Sequence, residues 1–195
     1  MNKILNVYKP LSYTPLQVIN ALKESFPEYK NEKISYAGRL DPLAHGVLIL
    51  LVGDENQNRR EHEKVDKVYE FQCILGVQTD TYDVLGLPKL DEGILQAPVA
   101  EKPIREALAK YQGTVRQQLP PFSSYQINRI PLFKWARMGR LDEIEIPQRD
   151  INISSMEVLK IEQVPVAKLL ETIIERVGNV KGDFRQKEII KRWQN

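Results

Sequence analysis

Nitrogen and sulfur ligands are nearly missing from this chain, which has one cysteine, Cys73, and two histidines, His45 and His62. A lone cysteine rules out an internal disulfide and fits a reducing compartment. These residues also fall short of a structural zinc site, which takes four protein ligands. Long apolar runs are absent as well. The longest, residues 47–52, is far below the roughly 20 residues that a membrane helix needs. The start, Met1-Asn2-Lys3-Ile4-Leu5, lacks the apolar core of a signal peptide. A cytoplasmic protein with no membrane partner is therefore expected. Charge of one sign is lacking too: 28 Lys and Arg stand against 26 Asp and Glu, for a net +2. A nucleic-acid binder of this composition has to gather its basic residues on one face. Walker, GxGxxG and GxSxG motifs do not occur, so nucleotide hydrolysis, dinucleotide chemistry and serine hydrolysis lose support.

What is present is ordinary for a globular chain: 195 residues, 42% hydrophobic and 28% charged, enough for one domain with a substantial core. Residues 4–8 alternate and read as a strand. Thr14-Pro15 reads as a helix N-cap with proline at the first position. Val18, Leu22 and Phe26 supply that helix's apolar stripe, and Pro27 stops it. Residues 67–77 place Tyr69, Phe71, Cys73, Leu75 and Val77 on one face of an expected long strand. A loop is expected over 88–103, then helices over 104–111 and 131–138, ended by Gly113 and Gly139. A strand over 151–161, a helix over 166–177 and a last helix over 184–193, capped by Asp183, complete the reading. Strands and helices alternate without a regular βαβ repeat, which favours an α+β fold.

The run Gly38-Arg39-Leu40-Asp41-Pro42-Leu43-Ala44-His45-Gly46, leading into the apolar residues 47–52, singles out one carboxylate. An acid beside a core strand has to be hydrogen-bonded, paired or functional, because burying it unpaired is costly. Arg39 is the local candidate to pair with it. Asp41 thus reads either as a nucleophile or base, or as a structural aspartate in a tight turn. Asp80 and Asp83, within Thr79-Asp80-Thr81-Tyr82-Asp83, read either as Mg²⁺ ligands or as turn-forming aspartates. Tyr69 reads as a core aromatic or as a platform for an unstacked base.

Asn6-Val7-Tyr8-Lys9-Pro10 and the Asp41 run resemble the first part of the TruB-type tRNA pseudouridine synthases. The order continues with Lys67-Val68-Tyr69-Glu70-Phe71 and the Thr79–Asp83 segment. Gln118-Leu119-Pro120-Pro121-Phe122 with Trp135-Ala136-Arg137-Met138-Gly139 then follows, so five matches run in one order over residues 6–139. The resemblance implies a pseudouridine synthase fold, with a central mixed or antiparallel sheet flanked by helices. It implies isomerisation of uridine to pseudouridine in RNA, typically at position 55 in the tRNA T-loop, with no metal and no cofactor. Asp41 inherits the role of nucleophile, and Tyr69 those of stacking on the flipped base and proton transfer. Arg185, in Gly182-Asp183-Phe184-Arg185, inherits the arginine that pairs with the aspartate. Lys9, Tyr36 and Arg39 are the expected substrate-side residues, with Lys9-Pro10 also shaping the turn. Where the family carries His-Thr-Gly-Thr before Leu-Asp, this chain has Tyr36-Ala37-Gly38-Arg39, closer to the RsuA and RluA branches.

The expected organisation is a monomer with one catalytic domain over 1–195 and no C-terminal PUA domain, and its partner is the tRNA T-arm. Three other readings stay open: the same chemistry on another RNA, a non-catalytic RNA-binding module, and a Mg²⁺-dependent nuclease using Asp41, Asp80 and Asp83.

Overall fold

In the computed structural model, which describes residues 1–90 and 100–195, the apolar run and the N-terminal alternation pair with one another. The elements run β1 (Lys3–Lys9), α1 (Pro15–Ser25), β2 (Ile34–Ala37), β3 (Gly46–Val52), α2 (Arg59–Glu63), β4 (Val77–Thr79) and β5 (Pro88–Leu90). They continue with α3 (Glu101–Ala109), β6 (Gly113–Gln118), β7 (Gln126–Ile127), β8 (Ile130–Pro131), α4 (Leu132–Arg137), β9 (Gln148–Ile153), α5 (Val166–Asn179) and α6 (Gln186–Gln194). Every strand pair among the described residues is antiparallel, and helices are interspersed, so the class is α+β. The chain divides into two compact units, residues 1–73 with 172–190 and residues 74–171 with 191–195.

In the first unit β3 lies between β1 and β2. The register pairs Leu5 with Leu50, Val7 with Leu48, and Tyr36 with Leu50. Because side chains alternate across a sheet, Leu5, Val7 and Lys9 share one face with Leu48, Leu50 and Tyr36. Helix α1 covers that face with Val18, Ile19 and Leu22, and Leu40 joins the same cluster. Leu48 and Leu50 are fully buried, and each such burial contributes roughly 1.5–3 kcal/mol. The expected cap of α1 is present in full: Gln17 N–H donates to Thr14 Oγ1 at 3.3 Å, and Thr14 N–H to Gln17 Oε1 at 2.7 Å. Helix α5, expected over 166–177, runs Val166–Asn179 and buries Ile173 and Val177, while Val166 is exposed. The last helix starts later than expected, at Gln186, because Arg185 takes a left-handed φ of 63° that no helical residue adopts. Asp183 still accepts from the Arg185 N–H, at 3.4 Å.

The expected strand over 67–77 does not form. Residues 66–74 have neither helix nor strand, and Val68, Tyr69 and Phe71 are 101%, 75% and 66% exposed. Alternation supplies a one-sided pattern, but a strand also needs a neighbour to pair with. Of that stretch Val77 alone pairs, opposite Leu90 at the start of β4.

In the second unit β6 and β9 pair from Gly113–Ile153 to Gln118–Gln148. The strand expected over 151–161 therefore begins earlier and stops at Ile153, where its partner begins. The loop expected over 88–103 is shortened at both ends: Pro88–Leu90 is β5, and α3 starts at Glu101. Pro103 is accepted there because a first-turn residue needs no backbone donor. Residues 91–99 of that expected loop lie outside the described ones. The turn before β5 is closed by carboxylates: Asp80 Oδ1 accepts from Leu87 N–H at 2.8 Å and Asp83 Oδ1 from Leu85 N–H at 3.0 Å. Trp193 Nε1 donates to the Gly86 carbonyl at 3.2 Å. A Cβ on Gly86 would run into Thr81 Oγ1 and come within 2.7 Å of Asp80 Oδ1. Gly86→Ala is expected to lower stability by about 1–3 kcal/mol; thermal unfolding checks this, and an unchanged midpoint contradicts it.

Candidate active site

Asp41 is placed by the residue before it. Leu40 is drawn into the β-sheet core, and the chain then turns so that Asp41 is exposed. The turn is closed by Ala44 N–H donating to the Asp41 carbonyl at 3.0 Å. Ser12, Lys9 and Tyr8 each tie it to β1 or to the residues just after that strand. Ser12 N–H donates to the Pro42 carbonyl at 2.9 Å, from a left-handed backbone of φ 67°. Lys9 Nζ donates to the Ala44 carbonyl at 2.6 Å and to the Pro10 carbonyl at 3.1 Å. Tyr8 Oη lies 2.9 Å from His45 Nδ1. None of these bonds uses the Asp41 carboxylate, which is left facing outward.

Lys9 has no accessible surface, an uncommon state for a lysine that its two carbonyl partners make tenable. Burial pushes its ammonium below the ordinary 10.5, and the charge of Asp41 acts in the opposite direction. The Arg39–Asp41 pair expected from their spacing is not formed: among the described residues no ion pair joins them, and both side chains are exposed. A β-strand exit followed by a left-handed Gly38, φ 80°, sends Arg39 outward while Leu40 turns into the core.

Tyr36 packs on the core cluster, and the Arg59 guanidinium stands 5.4 Å from its ring centroid. Tyr69 is exposed, and Arg185 is half-buried just ahead of α6. Lys9, Tyr36, Arg39, Asp41, Tyr69 and Arg185 all belong to the first unit. Asp80 and Asp83 belong to the second, where they accept turn hydrogen bonds, the turn-forming alternative of the two read from their spacing. Sequence reasoning missed Ser12, Arg59 and Glu63. The i,i+4 spacing of Arg59 and Glu63 foretells an ion pair, but nothing in the sequence aims it at Tyr36.

The TruB family pseudouridylate synthase (N terminal domain) family model matches residues 27–175. A tRNA pseudouridine synthase B of Fusobacterium nucleatum is 33% identical over 202 residues, covering 100% of this chain and 68% of that protein. Its counterpart from Clostridium acetobutylicum is 34% identical, covering 94% of this chain and 58% of that protein. The one from Clostridium kluyveri is 33% identical, covering 83% and 53%. The chain thus spans about half to two thirds of the length of these curated relatives.

Proposed function

The chain belongs to the TruB family of pseudouridylate synthases, and from that premise we propose that it isomerises uridine to pseudouridine in tRNA, at position 55 of the T-loop. The observation that carries this reading is the tethered 41–45 turn, whose backbone bonds leave the Asp41 carboxylate exposed for chemistry. Asp41 acts as the nucleophile. Its carboxylate oxygen bonds to C1′ as the bond from N1 to C1′ breaks, the base turns, and C5 then displaces the carboxylate from C1′. A proton leaves C5 and N1 gains one, so the product is an isomer and no redox partner enters.

A base within a folded loop has to leave its stack before this can happen. Tyr69, exposed on an irregular segment, offers a face on which the extruded base stacks. We assign Arg185 to pair with Asp41 during the reaction, and Tyr36 and Arg39 to the RNA side. Lys9, being buried, supports the turn from behind rather than touching RNA. Stacking of a base on an aromatic ring contributes about 1–3 kcal/mol, so Tyr69→Ala is expected to slow conversion roughly 5- to 150-fold. Tyr69→Phe keeps the ring and isolates the share of the hydroxyl; single-turnover rates of both variants check this.

The experiment that tests the function is incubation with an unmodified tRNA transcript in EDTA, followed by mapping of pseudouridine at single-nucleotide resolution. Conversion at the T-loop uridine supports the full reading. Conversion elsewhere keeps the reaction and replaces the substrate. Absence of conversion contradicts both.

A further inference from the structure

A charged pair on α2 reaches the segment that leads into Asp41 through its arginine. Arg59 Nε donates to Glu63 Oε1 at 2.7 Å, one helical turn on. The same guanidinium lies over the Tyr36 ring, 5.4 Å from its centroid, within cation–π reach. The Glu63 carboxylate is held below its ordinary 4.5, chiefly by the Arg59 hydrogen bond. Helix α2 thus reaches the Tyr36 ring through Arg59, which Glu63 holds in place. Tyr36 stands near the end of β2, and the left-handed Gly38 just after that strand sets the direction in which Leu40 and Asp41 follow.

We propose that Arg59 and Glu63 form a positioning pair for the catalytic turn, fixing Tyr36 in β2, just ahead of Gly38, so that Asp41 is presented in one orientation. The inference rests on the reading of Asp41 as nucleophile. Exposed i,i+4 ion pairs add little to stability, so a fold-keeping role does not account for a pair with 42% and 38% side-chain exposure. Reaction geometry is far more sensitive, since a displacement of about 1 Å can cost roughly 100-fold in rate.

The test uses the full chain with an unmodified T-arm RNA and the variants Arg59→Ala, Glu63→Ala and the double variant, with Arg59→Lys and Glu63→Gln as conservative partners. A positioning pair predicts a single-turnover rate at saturating RNA lowered roughly tenfold in each alanine variant, with unchanged Kd and thermal midpoint. The double variant should be no slower than about the worse single one, because the two act as a unit. Arg59→Lys, which keeps a cation over the Tyr36 ring, should recover part of the rate. Wild-type rates in both alanine variants overturn the proposal. So does a weakened Kd with a salt dependence reduced by about one charge and an intact saturating rate, which marks Arg59 as a phosphate contact. Loss of cooperative unfolding in the conservative variants overturns it in favour of a structural role. An inactive wild-type protein fails the functional reading itself, a result distinct from active wild type with unaffected variants.

Discussion

Asp41→Asn is expected to lower pseudouridine formation by roughly four orders of magnitude or more while RNA affinity and folding stay near wild type. An amide of the same shape cannot form the bond that a carboxylate nucleophile forms. The turn should survive, because it is held through backbone groups: the Asp41 carbonyl to Ala44, the Pro42 carbonyl to Ser12, and the Ala44 carbonyl to Lys9. Losing one negative charge does not weaken binding to a polyanion. Single-turnover conversion, RNA titration and thermal unfolding of the variant check the three parts together. A conversion rate near wild type sinks the assignment of Asp41, and a collapsed fold makes its role structural.

Lys9→Ala is expected to be the most destabilising single change near the site. It removes a fully buried side chain and leaves the Ala44 and Pro10 carbonyls without their donor. Together these effects should cost about 2–4 kcal/mol, lowering the thermal midpoint by roughly 5–15 °C for a chain of this size. Activity should fall with it, since Lys9 ties the Asp41 turn to β1. A midpoint within about 1 °C of wild type contradicts that account. The pH dependence has a definite sign. Burial places the folded value of Lys9 below the ordinary 10.5, so between the two values the unfolded chain holds the proton that the folded chain has released. The contribution of Lys9 to stability therefore rises as pH increases through that window. Lys9→Met, which keeps most of the volume, should lose that component of the slope in denaturant titrations across the window.

The parts of this molecule that are local in sequence were the legible ones. Thr14, Pro15 and Gln17 cap α1 with side chains three residues apart, and both halves of that capping box form. The spacing of Ile173 and Val177 marks the buried face of α5. The carboxylate at Asp41 stands out because an acid follows Leu40 and precedes an apolar strand. What failed depends on partners distant in the chain. Residues 67–77 alternate as a strand does, yet pairing is decided by another segment's backbone, which no alternation encodes. Arg39 lies two residues from Asp41, but the left-handed Gly38 and the pull of Leu40 into the core separate their side chains. The buried cation that holds the Asp41 turn is Lys9, at the end of a strand whose register with β3 brings it opposite Gly46.

On the proposed reading, this chain itself moves the bond at C1′ from N1 to C5, with Asp41 as the attacking group. That exchange releases the hydrogen at C5 to solvent, so a tRNA transcript labelled with tritium at uridine C5 reports it directly. Release of one tritium per T-loop target uridine is expected from the wild-type protein, and background release from Asp41→Asn at equal RNA occupancy. No release by the wild-type protein, or equal release by both, would contradict it.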